Sequence, residues 1–473
     1  MAAHTNCLFV QGGKMSMRKT QIIIAMILMV FYCACGNRIP ASESAALESP
    51  ASDINADVPP QDSSPSIEPV TIRLATCGSG ILDYGLIADF AADNAGCTVE
   101  VVDYYAASDY DYEKALQKLI TEIMGGNGPD IIDLSSFSLN LAQYADKCVL
   151  EDLYLWLDRD PELDKSEFVD SVFSLCEHED GLYAIMSGFS IKTMYGAKSL
   201  ADSVGAWNLE KFYDYKNALG SAALDEGSSF TLNGKVFLEQ LCATSITSFI
   251  DYENTSAYFD SEEFIELLNC CKQMQETILQ EPLLRIDSVM NFFEIQYQQF
   301  CLGEELCYLG IPGLQDGDAC SYINNQNNYL AMNAQSAHKE AAWDFMRRCL
   351  TKAYQTEKYV ERASSNAFPT NLAALDAMIE ISRKPVYYID ENGNEIEMTS
   401  RGMYEFIYAP ADDEEIGKIM SLINSVSGMQ SYDPVITEIV LSEADAFFAS
   451  DKTAEEAAQI IQSKIMLYLG EIA

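Results

Sequence analysis

Five short segments alternate between Val70 and Ser136, and that alternation constrains the fold more than any other feature. VTIRLATCGSG (70–80) sets Ile72 and Leu74 on one face and stops at Gly78-Ser79-Gly80, which predicts a buried strand ending in a glycine turn. ILDYGLIADFAADNAG (81–96) spaces its apolar residues by three and four, the period of a helix. CTVEVVDYY (97–105) reads as a second strand. DYEKALQKLITEIMGG (111–126) reads as a helix with Leu116, Leu119, Ile120, Ile123 and Met124 on one face, and GPDIIDLSS (128–136) as a third strand entered through Pro129. Strand-helix-strand-helix-strand order predicts an α/β fold, with parallel strands covered by helices. Ligands of such sheets sit beyond the carboxyl ends of the strands. Here those ends are Cys77–Gly80, Tyr104-Tyr105 and Ser135-Ser136, each of which also reads as plain turn chemistry.

The segment before this domain says where the chain goes. Arg18 and Lys19 precede an apolar run from Ile22 to Tyr32. At about ten residues it is roughly half as long as a bilayer-spanning helix, and a basic start, a short apolar run and small residues predict a secretory signal. Met15 and Met17 are alternative starts. The signal ends Tyr32-Cys33-Ala34-Cys35-Gly36, which resembles the bacterial lipoprotein box, where a cysteine after a small residue receives a diacylglyceryl group. Cys35 fits that role better than Cys33, because Ala34 is small and Tyr32 is not; plain secretion is the alternative. Residues 1–35 are thus predicted as a lipoprotein signal. Residues 36–69, rich in Ser, Pro, Ala and acid, are predicted as a disordered linker, since they cannot bury enough surface to offset ordering entropy.

Acidic residues number 72 against 29 basic ones, a net charge of −43. Three of the basic residues, Lys14, Arg18 and Lys19, precede Cys35, so the exported part is more acidic still. This charge repels nucleic acid and anionic lipid. No CxxC pair marks a zinc site, and many of the scattered cysteines sit among apolar neighbours, as in FIELLNCCKQM. Of three histidines, His178 sits in the acidic loop CEHEDG, yet a transition-metal site ordinarily wants more than one histidine. LDRDPELDK (157–165) has Leu163 where a calcium loop needs glycine, and reads as a solvated acidic loop. No metal or cofactor is expected. GxSxG, HExxH and P-loop motifs are absent, and GGNGP (125–129) follows a helix, so it reads as a C-cap and turn.

Further along, Asn208 is placed to cap a helix with Trp207 stapled to it. YFDSEEFIELLNCCKQMQETI is predicted as a helix with Phe264, Leu267, Leu268 and Cys271 inward, and HKEAAWDFMRRCLTKAYQ as one with Trp343 and Phe345-Met346 inward. VYYIDENGNEIEM (386–398) is predicted as a hairpin about Asn392-Gly393. Two closing helices start at Asp433-Pro434 and at the capping box Thr453 to Glu456, the second running to Leu469.

Several of these segments together resemble one family. GGNGPDIIDLSS is similar to the G-x-G-P-D-I-I segment of family 1 extracellular solute-binding proteins, the sugar-type receptors of bacterial ABC importers. CVLEDLYLWLDRDPEL, DGLYAIMSGFSIKTMYGAKSL, GAWNLEKF, YLAMNAQSAHKEAAWDFMRRCLT, AFPTNLAALDAM and TAEEAAQIIQSKIMLYLGE resemble further segments of that family, in its order, over 71–473. Met186 and Gly196 depart from it, where proline and asparagine are usual.

The resemblance implies a periplasmic-binding-protein-like fold: two α/β lobes joined by a hinge, with the ligand cleft between them. Lobe one is expected over 70–188 plus 326–365, and lobe two over 189–325 plus 366–473. It implies a monomeric, non-enzymatic receptor, lipid-anchored through Cys35 at the extracellular face, that captures a carbohydrate, an oligosaccharide by preference, and delivers it to ABC permease subunits. Aromatic rings would meet sugar faces, and amides, carboxylates and hydroxyls would meet the hydroxyl rim. Chain position then nominates Ser79, Tyr104, Tyr105, Ser135 and Ser136 from lobe one. Ser187 and Phe189 follow the hinge motif, Asp251 and Tyr252 come from lobe two, and Tyr322 lies near the second crossing. The alternatives are a cationic ligand such as a polyamine or basic peptide, suggested by the acidic balance, and an exported glycosidase.

Overall fold

The expected five-segment unit is present. In β1 (Val70–Thr76), Ile72, Leu74 and Ala75 are fully buried. Asp83 caps α1 (Tyr84–Asp93) through the backbone N–H groups of Gly85 and Leu86. After β2 (Cys97–Asp103), Asp111 caps α2 (Tyr112–Met124), which buries Ala115, Leu116, Leu119 and Ile123 and stops at Gly125. Gly126 then adopts φ +72°, a left-handed turn that glycine takes without strain, and leads into β3 (Ile131–Asp133). β1 pairs in parallel with both other strands, Leu74 standing opposite Val101 and Ile131. α3 (Leu141–Asp146) follows, capped by Asn140.

The computed structural model describes residues 69–78, 83–137, 139–199, 207–209, 211–212, 234–252, 254–275, 284–313, 319–361, 366–385, 387–389, 395–397, 409–430 and 433–472. These belong to one unit of the chain, Ile67–Ala473. The signal with Cys35, the linker up to residue 68, and Ser79 lie outside the described residues. Among the described residues, no helix is long and apolar enough to cross a membrane.

The second sheet is built around β4 (Gly188–Ala197), which pairs antiparallel with four other strands. Helices α4 (Gly234–Cys242) and α5 (Glu262–Gln275) precede its partner β5 (Leu284–Val289). Next come α6 (Glu294–Leu302), β6 (Leu306–Tyr308) and β7 (Tyr322–Asn327). β8 (Leu330–Met332) returns to the first sheet and lies antiparallel to β3. After α7 (Lys339–Arg348) the chain reaches β9 (Phe368–Pro369), again against β4. It closes with α8 (Leu372–Ser382), the hairpin β10 (Tyr387–Ile389) and β11 (Glu395–Glu397), α9 (Asp413–Asn424), β12 (Gly428–Met429), α10 (Pro434–Phe448) and α11 (Ala454–Ile472).

Successive side chains of a strand point to opposite faces, and β4 separates two cores in this way. Phe189, Ile191 and Tyr195 join the core that includes the first sheet, α6 and α9. Met194 joins a second core formed by α4, α5, α10 and α11. The inward residues expected on α5 and α7 are buried, the expected caps at Asn208, Asp433 and Thr453 form, and Trp207 packs edge-on against Phe212 at 5.9 Å.

Two expectations are corrected. The acidic loop at 157–165 is not simply solvated: the Asp160 side chain is 2% exposed and is gripped by Arg347 (2.5 and 2.8 Å) and by the Trp343 indole N–H (3.1 Å). Burial works against its charge, but those hydrogen bonds hold the carboxyl below its ordinary range. The hairpin exists, but Ile389 pairs with Glu395, whereas a two-residue turn at Asn392-Gly393 would pair it with Ile396.

Three chain passages between the sheets run side by side. The Ser187 N–H donates to the Asn327 carbonyl (2.9 Å), and the Thr370 N–H donates to the Ser187 carbonyl (3.2 Å). The Ser187 hydroxyl lies 2.6 Å from the Tyr359 hydroxyl and accepts from Asn328 Nδ2 at 2.8 Å. Gly188 is required here by close approach, since a Cβ would stand 2.6 Å from Tyr359 Cζ. Gly188→Ala should therefore cost about 1–3 kcal/mol of stability, read as a lower urea midpoint with an unchanged slope.

Candidate functional site

A cavity of about 1160 Å³ opens where the carboxyl ends of β1 and β3 face the second sheet and the last two helices. This is the position expected for a ligand at an α/β sheet. One carboxylate oxygen organises the first edge: Asp103 Oδ1 accepts the backbone N–H groups of Gly78 (2.9 Å), Tyr105 (3.0 Å) and Ala106 (3.2 Å). Gly78 sits at φ +86°, and Tyr105 is turned to line the cavity, its ring edge-to-face with Tyr110 at 5.5 Å. The Ser136 hydroxyl ties the two loops together, accepting from the Cys77 N–H (3.0 Å) and donating to the Asp133 carbonyl (2.9 Å).

Tyr112 and Leu116 of α2 and Asn140 to Tyr144 at the start of α3 form the adjoining wall. The opposite wall comes from Tyr252, from Asn324 and Gln326 of β7, from Met429 and Gln430, from Asp433 at the start of α10, and from Tyr468 of α11. Asn324 is held by Ser190 and Ser288, and Gln326 by backbone carbonyls. The Gln143 and Gln430 side chains make no hydrogen bond among the described residues and are available to a solute.

Among the described residues, lysine, arginine and histidine are absent from the lining, and its only carboxylates are Glu177 and Asp433. Both are engaged. Burial opposes the charge on Glu177, but hydrogen bonds from Lys165 (2.6 Å) and Tyr154 outweigh it and hold the carboxyl below its ordinary range. Asp433 caps α10 through Val435 and Ile436 and accepts the Tyr468 hydroxyl at 2.9 Å; burial nevertheless pushes its carboxyl up.

Of the residues nominated from sequence, Tyr105, Ser135, Ser136 and Tyr252 line the cavity together. The others in the described part stand elsewhere, each for a physical reason. Tyr104 is fully buried with its hydroxyl on Glu122 (2.6 Å). Ser187 belongs to the junction of the three passages, and Phe189 packs on Phe368 in the core. Asp251 accepts two bonds from Asn254 in a tight turn, and the Tyr322 ring packs beside Gly428 with its hydroxyl 3.1 Å from Ser245. Sequence reasoning missed Tyr112, Phe137, Asn140, Gln143, Tyr144, Tyr329 and Tyr468, among others. Tyr112 and Asn140 carried a usable signal, because each stands at the helix start that follows a strand end.

With this geometry established, comparison with solved structures identifies the architecture. The sugar-binding protein MalE from Xanthomonas citri is similar over 85% of this chain and 98% of its own, with a TM-score of 0.52 at 13% sequence identity. The fold is that of a periplasmic-binding protein. Two α/β lobes are joined by a hinge, and the cavity is the cleft between them. The ABC substrate-binding protein Lmo0181 from Listeria monocytogenes, in complex with cycloalternan, covers the same shares of the two chains at 16% identity and TM-score 0.49. A solute-binding protein from Agrobacterium radiobacter in complex with ribitol covers 85% and 99% at 16% identity and TM-score 0.49. No family model matches the sequence, and no curated protein matches it.

Beside the cleft floor lies Asp133, which is 1% exposed; Oδ1 accepts from Ser135, and Oδ2 has no hydrogen-bond partner. Burial pushes its carboxyl up to about 6 despite the Ser135 bonds and the nearby Ser136 and Thr76 hydroxyls. A folded-state value above the unfolded one means the fold favours the protonated form, so this contribution is present at low pH and lost as pH rises from about 4 through about 6. Asp133→Asn does not titrate. Wild-type stability relative to that variant should therefore fall by about 2 kcal/mol between pH ~4 and pH ~7.5, measured by urea unfolding at each pH.

Proposed function

We propose that this protein is the ligand-capturing receptor of an ABC importer, tethered through lipidated Cys35 on the extracellular face of the membrane. In this reading it closes its lobes over a neutral oligosaccharide and presents the closed form to the permease. The observation that carries the reading is the lining of the cleft. Seven aromatic rings, with hydroxyls and carboxamides between them, surround about 1160 Å³ whose described lining contains no cationic side chain. Aromatic faces suit the apolar faces of sugar rings, and amides and hydroxyls suit their rims. The volume exceeds the ~300–1,000 Å³ of ordinary small-ligand sites, which suits more than one ring. The fold it shares with a sugar-binding protein, and the motif order along the chain, support the same reading.

The wall gives little support to a cationic ligand, because Lys165 and the α10 N-terminus already occupy its two carboxylates. The same engagement leaves neither Glu177 nor Asp433 free as the acid or nucleophile of a glycosidase.

A calorimetric panel of neutral di- to tetrasaccharides, their uronic-acid counterparts and spermidine should yield a binder among the neutral sugars alone. Tyr252→Ala should weaken that sugar about tenfold, or ~1.4 kcal/mol, with the fold intact by circular dichroism; a panel without a single sugar binder would overturn the reading. Cys35→Ser should abolish labelling by radioactive palmitate and release the protein from membranes.

A further inference from the structure

Asp133 ends β3, one residue before the cleft floor begins at Leu134. Its Oδ1 accepts from the Ser135 backbone N–H (3.1 Å) and from the Ser135 hydroxyl (2.6 Å), and Ser135 itself lines the cleft. Oδ2 is buried and has no hydrogen-bond partner among the described residues. The elements packed around the carboxyl bring it no charge. β1 presents Thr76, whose hydroxyl is directed to the Gly78 carbonyl (3.2 Å) and to Ser136 (3.4 Å), though both hydroxyls stand near enough to favour the ionised carboxyl. β8 presents Leu330, paired opposite Asp133, and the Tyr329 carbonyl is taken by the Leu134 N–H. The titratable side chains Cys77, Asp103 and Tyr329 on these elements form no hydrogen bond to Asp133 among the described residues, and the largest influences on its carboxyl are burial and neighbouring hydroxyls. A buried carboxylate with an empty acceptor site is disfavoured for stability alone, and such groups beside a cleft point to function.

We propose that Asp133 is a positioning residue that couples ligand capture to proton release: its ionised carboxylate holds the Ser135 hydroxyl with the oxygen lone pairs toward the cleft, and a proton taken up on Oδ2 loosens that hold. This rests on the reading of the cleft as a site for a neutral sugar. The Ser135 bond is charge-assisted while Asp133 is ionised and roughly half as strong once it is neutral. A sugar hydroxyl donating to Ser135 Oγ polarises the Ser135–Asp133 bond further and favours the ionised carboxylate. By linkage, binding then releases a proton to water, and affinity falls as the pH drops through the titration of Asp133, by up to about tenfold for each unit by which the sugar shifts it.

The test uses the full-length protein, Asp133→Asn and Ser135→Ala. Isothermal titration with maltotriose, or with whichever neutral sugar of the panel binds, is run at about pH 5 and about pH 7.5, beside urea unfolding at the same two values. The wild type should bind about three- to tenfold more weakly at the lower pH. Asp133→Asn should bind equally at both. Ser135→Ala should lose the pH dependence of binding while its stability still changes with pH, because Asp133 still titrates. Parallel stability curves for wild type and Asp133→Asn would show that Asp133 does not titrate and would overturn the proposal whatever any sugar does. Diverging stability curves with equal wild-type affinities at both pH values would overturn the coupling and leave the sugar reading standing. No binder in the panel would overturn both.

Discussion

The molecule depends on one bundle of hydrogen bonds, the one centred on Ser187. Its backbone N–H and C=O tie its own passage to the two others, at Asn327 and Thr370, and its hydroxyl meets that of Tyr359. Asn328 adds Nδ2 to the same hydroxyl while adopting φ +49°, a left-handed conformation that asparagine tolerates better than most residues. The junction is polar, buried and satisfied. Removing one member would strand the others, so the network specifies a single path for all three passages. Hinge closure needs a few residues that absorb backbone rotation between units that move whole. One face of β4 shares a core with the first sheet, and the other packs on α4, α5, α10 and α11.

That arrangement explains which parts of the fold were legible beforehand. The first lobe is local: five consecutive segments carry their own periodicity, caps and glycine stops, and each forms where its pattern says. The cap at Asn208 with its Trp207–Phe212 staple is equally local. The misreadings are non-local. Nothing around Asp160 announces Arg347, 187 residues away, so an acidic run was read as facing water when one of its acids is buried in an ion pair. β8 joins the first sheet from Leu330, another contact that no local pattern carries. The hairpin shows a further limit: Asn-Gly identifies a turn, but the register of the flanking strands is decided by their pairing.

The same distinction applies to the cleft. Tyr105, Ser135 and Ser136 were findable because they follow strand ends, and the carboxyl edge of a parallel sheet is a physical location. Ser187 and Phe189 follow the motif at the crossing between the sheets, yet the first is consumed by the junction and the second points into the core through strand alternation. Asp433 and Tyr468 could be read as a helix cap and a helix face, but nothing in their own segments says that those helices end at the cleft. The overall acidity misleads in a similar way. A net charge of −43 describes the surface, whereas the two carboxylates in the cleft are held by a lysine and by a helix start. Net charge bears on solubility and long-range steering, not on what a lined cavity recognises.

The choice of aromatic residue links the wall to closure. The chain has 26 tyrosines and three tryptophans. Trp343 and Trp156 donate their indole N–H groups to Asp160 and Glu151, and Trp207 staples a helix, so stacking in the cleft falls to tyrosine. Tyrosines stand on both walls: Tyr105, Tyr112 and Tyr144 beside the first sheet, Tyr252 and Tyr468 opposite them. A solute that touched one side alone would bind open and closed forms equally and would shift no population. A solute with apolar faces directed both ways meets rings from each lobe only when the cleft narrows, and the difference in affinity between the two states is what drives closure. On the proposed reading, rings on both walls would make the cleft respond to closure as well as bind, and a flat sugar ring with two faces would satisfy it.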